Sequence, residues 1–273
     1  MREERKIILS AFSIKGDIMS FQDKLKQTNL GPLAAATISN FVWGLSFLLM
    51  RVAMQVAGDD QYLTLSCRFF IASVVMVLIG LIRKEKVSLK GKHVFRFAIL
   101  LIAEVAYFYF ETLILKYSNS VFTGVSMSLS PVFSIGFAAL FLKEIPPLKK
   151  ILFAILPIVG VALISIAGRS IGVVQPIAVL FLILTCASAG TIRTLQRSTS
   201  REFSTYERTV SVMIACFLAF TMTNLIDKKF DFTCYIIVTN LQFILPVAAL
   251  GLFASVLANM LSNYAAGKLP VMY

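Results

Sequence analysis

Long apolar runs dominate this sequence and limit what it can fold into. Residues 62–82, "YLTLSCRFFIASVVMVLIGLI", are one of several runs with few charges. Each is long enough for a helix to cross a hydrocarbon core of about 30 Å. Hydrophobic residues make up 58% of the chain, more than the roughly 45–50% typical of soluble proteins. The sequence therefore predicts an all-α integral membrane protein, because a helix satisfies its own backbone hydrogen bonds in lipid.

The apolar runs define eight predicted membrane spans joined mostly by short connectors, so consecutive spans are expected to be antiparallel neighbours. The predicted spans are residues 32–54, 62–82, 96–116, 121–142, 150–168, 173–193, 207–226 and 243–267.

Basic residues give the chain a net charge of +12 and are concentrated in alternate connectors. They lie in the tail of residues 1–30 and after the second, fourth and sixth spans. Lys and Arg favour the cytoplasmic side, so we expect a cytoplasmic N-terminal tail, starting at Met1 or Met19, and a location in the plasma membrane. The positive charge is better explained by anionic lipid headgroups than by nucleic acid.

Two acidic residues, Glu104 and Glu111, lie within the third span. Seven residues bring a helix back to nearly the same direction, so both acids and Tyr107 share one face. An ionised acid in lipid is costly, so this face is expected to meet protein or a water-filled cavity. Arg68, at a similar depth on the second span, predicts a structural ion pair with Glu111. Tyr107 and Glu104 are candidates for substrate binding or proton coupling; a neutral Glu104, hydrogen-bonded to a neighbour, is the alternative.

Four further polar residues in the spans are candidates for substrate binding. Asn40 and Trp43 lie in the first span, and Asn259 and Asn263 lie four residues apart in the eighth. Hydrogen bonds between helices are the alternative explanation for all four.

The sequence contains none of the motifs expected of an enzyme that works within a membrane. It has no HExxH, no GxSxG and no P-loop, and its single histidine, His93, lies in a connector. The four cysteines form no CxxC pair. We therefore predict no catalytic residue, no cofactor and no metal site.

The third and eighth spans show a weak internal similarity. Aligning Lys116 with Lys268 places Glu111 opposite Asn263 and Tyr107 opposite Asn259. The two spans have opposite predicted orientations, as inverted repeats require. This predicts a first repeat of five helices in residues 31–170 and a second repeat of three helices in residues 171–273. Matching the halves leaves two helices, or about 50 residues, missing from the second repeat.

Several stretches resemble a known family. They are "NFVWGLSFLLMRVAM", "CRFFIAS", "LILKYSNS" and "SMSLSPVFSIGFAALFLKE", in the first four spans. Over residues 32–273 the chain resembles EamA-type permeases of the drug/metabolite transporter superfamily, and the resemblance stops before the last two helices of such permeases. The resemblance implies an inverted-repeat bundle of ten helices, of which eight are present here.

The resemblance also implies secondary transport of small organic metabolites, either amino-acid-like or drug-like solutes, by alternating access. A truncated fragment that does not transport is the alternative. The sequence leaves open the substrate, the coupling ion, the direction of transport and whether the protein is a monomer or a homodimer.

Overall fold

A computed structural model describes residues 30–88, 91–137 and 175–269, and these ranges fold into α-helices with shorter 3₁₀ and π segments. The prediction of an all-α membrane protein is confirmed. The α-helices are α1 Leu30–Val56, α2 Gln61–Arg83, α3 Val94–Tyr117, α4 Ser120–Ser126, α5 Ser130–Phe137, α6 Pro176–Thr199, α7 Thr205–Asp227, α8 Leu241–Ala249 and α9 Ala258–Ala266. Two 3₁₀ segments cover Met127–Leu129 and Phe232–Thr239, and a π-helical segment covers Leu250–Leu257.

Six helices in the described ranges are long and apolar enough to cross a membrane. They are α1, α2, α3, α6, α7 and the continuous helix Leu241–Ala266, which joins α8, the π segment and α9. Each corresponds to a predicted span. The fourth predicted span is described only as far as residue 137, and the fifth, residues 150–168, lies outside the described residues.

Side-chain caps begin several of these helices. Asp60 accepts a hydrogen bond from the Leu63 N–H at the start of α2. Ser204 and Glu207 form a capping box at the start of α7, each side chain accepting from the other residue's N–H. Such caps satisfy N–H groups that have no partner within the helix. Pro176 begins α6, where its missing N–H removes no helical bond.

Two of the spans are irregular beside the centre of the bundle. Between α4 and α5 the chain tightens into a 3₁₀ turn, just before Pro131, which has no N–H to continue an α-helical ladder. In the eighth predicted span the π segment begins four residues after Pro246. Gly251 in this segment packs closely on α2, because an added Cβ would lie 3.0 Å from the Ile71 side chain and 3.1 Å from the Arg68 carbonyl oxygen.

The long helices pack mainly in three pairs. These are α3 with α6, α2 with α7, and α1 with the helix formed by α8, the π segment and α9. The same three pairs result if α1 is exchanged with α6, α2 with α7, and α3 with the α8–α9 helix. This pattern is the one that two structural repeats produce.

Both ends of the α2–α7 pair are joined by ion pairs. At one end Lys92, in the connector between α2 and α3, contacts Glu207 at 2.7 Å. At the other end Lys228, just after α7, contacts Asp60 at 2.8 Å. The outer surface between these ends is apolar and exposes large side chains such as Phe41, Leu81 and Phe95. An apolar outside with charged groups within suits a protein surrounded by lipid.

Candidate functional site

A cavity of about 290 Å³ lies within the bundle. Residues of α1, α2, α3, α6 and α9 line it, together with residues from the irregular α4–α5 region. Its wall carries two acidic side chains, Glu104 and Glu111, and two basic ones, Arg68 and Arg193. If all four are ionised, their charges cancel.

The two acids both reach this cavity from α3, as their spacing predicts. Both are almost fully buried, with 4% of Glu104 and 6% of Glu111 exposed. Glu104 Oε1 accepts a hydrogen bond from Gln196 Nε2 of α6 at 3.2 Å. Tyr107 lies between the two acids in sequence and lines the same cavity, where its hydroxyl donates to Met127 Sδ at 3.9 Å.

Arg68 is buried and has partners other than a direct contact with Glu111. Its Nε donates to Ser255 Oγ of the π segment at 2.8 Å. Its guanidinium carbon also lies 5.2 Å and 5.0 Å from the ring centroids of Phe69 and Phe108, within the range of cation–π attraction.

The ion pair predicted between Arg68 and Glu111 is therefore not formed as a direct contact within the described part of the chain. The two side chains face the same cavity and attract each other electrostatically. Instead, the π segment brings Ser255 close enough to accept from the Nε donor of Arg68.

Three of the other predicted residues also line the cavity. Trp43 Nε1 donates to the Ala254 carbonyl oxygen at 3.0 Å, so it joins α1 to the π segment. Asn40 Nδ2 donates to the Ala36 carbonyl oxygen at 2.7 Å, and Asn259 Nδ2 to that of Ala254 at 3.4 Å. Each of these amide nitrogens thus has a structural hydrogen bond as well as a place on the cavity wall.

Asn263 does not line the cavity, although it lies only four residues after Asn259. Its Nδ2 donates to Thr209 Oγ1 at 3.1 Å, and its carbonyl oxygen accepts from Arg208 Nη2 at 2.7 Å. Asn263 therefore joins α9 to α7 rather than facing the centre, and the structure gives it a packing role in place of the predicted one.

Two cavity residues, Arg193 and Gln196, were missed by the sequence analysis because the sixth span was predicted to end at residue 193. In the structure α6 continues to Thr199. The spacing of three residues places Arg193 and Gln196 on one face of this helix, and both line the cavity. Arg193 Nη2 donates to Ser130 Oγ at 3.3 Å.

A second, smaller cavity of about 70 Å³ continues from the first. The smaller one extends to Leu269, and the two share five residues: Asn40, Trp43, Arg193, Gln196 and Ser262. The bundle thus contains a space, lined in part by polar side chains, that runs from its centre toward the C-terminal ends of α6 and α9.

The comparison with protein families decides the identity of this bundle. Residues 30–166, just over half of the chain, match the EamA-like transporter family. The chain belongs to this family. It is therefore a multi-pass membrane transporter of the EamA type, within the drug/metabolite transporter superfamily, and not an enzyme.

Two relatives of this EamA-type transporter extend the comparison. A Bacillus subtilis (strain 168) protein named "Uncharacterized transporter YcxC" is 28% identical over 243 residues, which cover 86% of this chain and 76% of that protein. A solved crystal structure superposes with a TM-score of 0.62 at 19% identity, covering 88% of this chain and 80% of the other. At that identity the second match shows the fold alone.

Proposed function

We propose that this transporter moves small organic metabolites by alternating access and binds its solute in the central cavity. The observation that carries the proposal is a cavity of about 290 Å³, with two acidic and two basic side chains on its wall, inside a bundle whose outer surface is apolar. Buried charges in a membrane protein mark solute or ion pathways by default. The interrupted α4–α5 region and the π segment lie beside this cavity, and secondary transporters often build their sites from such discontinuous helices.

The size of the cavity limits the solute. Ligand pockets usually have volumes of about 300–1,000 Å³, so this one lies at the lower end of the range. Together with charges of both signs on its wall, this volume favours an amino-acid-like solute over larger drug-like compounds.

Alternating access can be tested before any substrate is known. Ala189 and Ser262 both line the cavity, so each is replaced by cysteine in a variant that lacks the four native cysteines. We expect a membrane-impermeant maleimide to label both sites from either side of the membrane. Ala72→Cys, buried in the core away from the cavity, is the control and should stay unlabelled. Labelling of the cavity sites from one side alone would contradict the proposal.

Glu104 is the proposed proton-coupling residue. Its partner Gln196 can donate to an ionised carboxylate or, with its amide turned over, accept from a protonated one, so the contact survives both states. We expect Glu104→Gln to abolish solute accumulation driven by a proton gradient while leaving solute exchange intact. Glu111→Gln is the matched control on the same face. Gradient-driven accumulation at the wild-type rate in Glu104→Gln would remove the coupling role.

The proposed orientation places the N-terminus on the cytoplasmic side of the plasma membrane, following the distribution of Lys and Arg. Two exposed lysines on opposite sides provide the test. Lys86 lies between α2 and α3, and Lys116 lies at the end of α3. In intact cells an impermeant maleimide should label Lys116→Cys and spare Lys86→Cys. The reverse pattern would invert the proposed topology.

A further inference from the structure

Arg193 stands out among the charged residues of the cavity because its contacts account for little of its hydrogen-bonding capacity. It lies on α6 within a predicted membrane span and lines both the central cavity and its smaller extension. Its described hydrogen bond is the one from Nη2 to Ser130 Oγ, at 3.3 Å. Within the described ranges no Asp or Glu forms an ion pair with it. A guanidinium carries five N–H donors, so several remain for a ligand.

The two fully buried arginines of the described bundle, by contrast, have structural partners. Arg68 bonds Ser255 and lies over two aromatic rings. Arg208 does not line the cavity, and it donates to the carbonyl oxygens of Gln196 at 3.0 Å and Asn263 at 2.7 Å. A cation within a membrane span and without a carboxylate partner is costly. Arg193 is therefore poorly explained as a packing residue.

We propose that Arg193 binds the carboxylate of the transported solute, so that the substrates are small molecules carrying a carboxylate group. This inference rests on the proposed function and names the substrate class of the same cavity. The planar guanidinium matches a carboxylate in a two-bond arrangement that lysine cannot reproduce. The Ser130 hydroxyl, already beside Nη2, contributes a further polar group at this point of the wall.

The test measures binding to the purified protein in detergent by thermal unfolding. The probes are matched pairs of a carboxylate and its primary amide, namely leucine and leucinamide, phenylalanine and phenylalaninamide, butyrate and butyramide, and benzoate and benzamide. A ligand that binds only the folded state raises the midpoint of unfolding. We expect at least one carboxylate to stabilise the protein while its amide does not.

Variants of Arg193 then assign the preference to this residue. Removing one partner of a charge-assisted contact should weaken carboxylate binding about 10- to 100-fold in Arg193→Gln. Arg193→Lys should fall between this variant and the wild type, because it keeps the charge but loses the planar fork. Arg197→Gln makes the same change one turn further along α6, at a residue that lines only the smaller cavity, and should bind as the wild type does.

Three results would overturn the assignment: no carboxylate in the panel stabilises the protein, amides bind as tightly as acids, or Arg193→Gln binds like the wild type. Should Arg193→Gln fail to fold, Arg193→Lys and Ser130→Ala carry the test, and wild-type affinity in both overturns it. Two-sided labelling of Ala189→Cys does not depend on the solute's charge. Intact labelling with no carboxylate preference therefore refutes this inference alone, whereas one-sided labelling refutes the transport proposal.

Discussion

Glu207 joins the connector between α2 and α3 to the turn between α6 and α7, and its loss should destabilise the protein strongly. One carboxylate oxygen accepts from Lys92 Nζ at 2.7 Å and from the Ser88 N–H at 2.9 Å. The other accepts from Lys92 Nζ at 2.8 Å and from the Ser204 N–H at 2.8 Å. Lys92 Nζ also lies 4.7 Å from the ring centroid of Phe203.

The size of the effect follows from the burial of this pair. The side chain of Glu207 is 7% exposed and that of Lys92 is 19% exposed. Breaking a fully buried pair by removing one partner costs about 3–5 kcal/mol, and losing a helix cap costs about 1 kcal/mol. Because Lys92 keeps some access to water, we expect the lower end, about 3 kcal/mol, for Glu207→Ala. A Lys92→Met, Glu207→Gln double variant should lose less than the sum of its single changes, since neither charge is left alone.

The assay is reversible unfolding in detergent, followed by helical circular dichroism. Glu85→Gln, an exposed acid just after α2, provides a control that should change stability by less than about 0.5 kcal/mol. The reasoning fails if Glu207→Ala matches this control, or if the double variant shows the simple sum of the two single effects.

Two further predictions test helix packing and the same connector. Gly80→Ala should destabilise the protein by about 1–3 kcal/mol in thermal unfolding, because the new Cβ would lie 1.9 Å from the Tyr206 hydroxyl oxygen. Gly44→Ala, with no atom within 4 Å of its new Cβ, should instead stabilise its helix by up to about 1 kcal/mol; equal effects of the two substitutions would contradict this packing. The His93 N–H, followed by the His93 ring, lowers the pKa of Glu202. The contact between Glu202 and His93 should therefore be complete above about pH 5 and be lost as the pH falls through the lowered pKa. The protection factor of the His93 N–H, its exchange relative to an unstructured peptide at the same pH, should fall in acid in the wild type and change little with pH in Glu202→Gln.

The described membrane helices could be predicted from the sequence because the bilayer fixes both their length and their polarity. The second predicted span, 62–82, differs from α2 by one residue at each end. The prediction of the sixth span was wrong at its C-terminal end. Arg193 and Gln196 lower the mean hydropathy there, so the segment resembles a polar connector. They are polar because one face of α6 meets the cavity. A search for spacings of three and four residues would have extended this helix to include them.

Side-chain partners were harder to predict than the positions of the helices. Arg68 and Glu111 do line the same cavity, but their positions along α2 and α3 carry no information on how far each helix is rotated or on local backbone irregularity. The π segment supplied Ser255 as the partner of Arg68. For Asn259 and Asn263 the shared face was a sound expectation, yet four residues advance a helix by about 6 Å. That rise takes Asn263 past the cavity and into contact with Arg208.

In the proposed repeat, α2 exchanges with α7 and α3 exchanges with the α8–α9 helix. Glu111 is then opposite Asn263, and the helices that carry Arg68 and Arg208 are counterparts. In the second half Arg208 donates to the Asn263 carbonyl oxygen, and neither residue lines the cavity. In the first half Arg68 bonds Ser255 instead, and Glu111 stays on the cavity wall. Asn263 links α9 to α7 through its Nδ2 and its backbone carbonyl oxygen, whereas the Glu111 carboxyl group forms no ion pair within the described residues. Under the proposed repeat, the second half therefore uses this position for packing, and the first half leaves Glu111 on the wall of the proposed solute cavity.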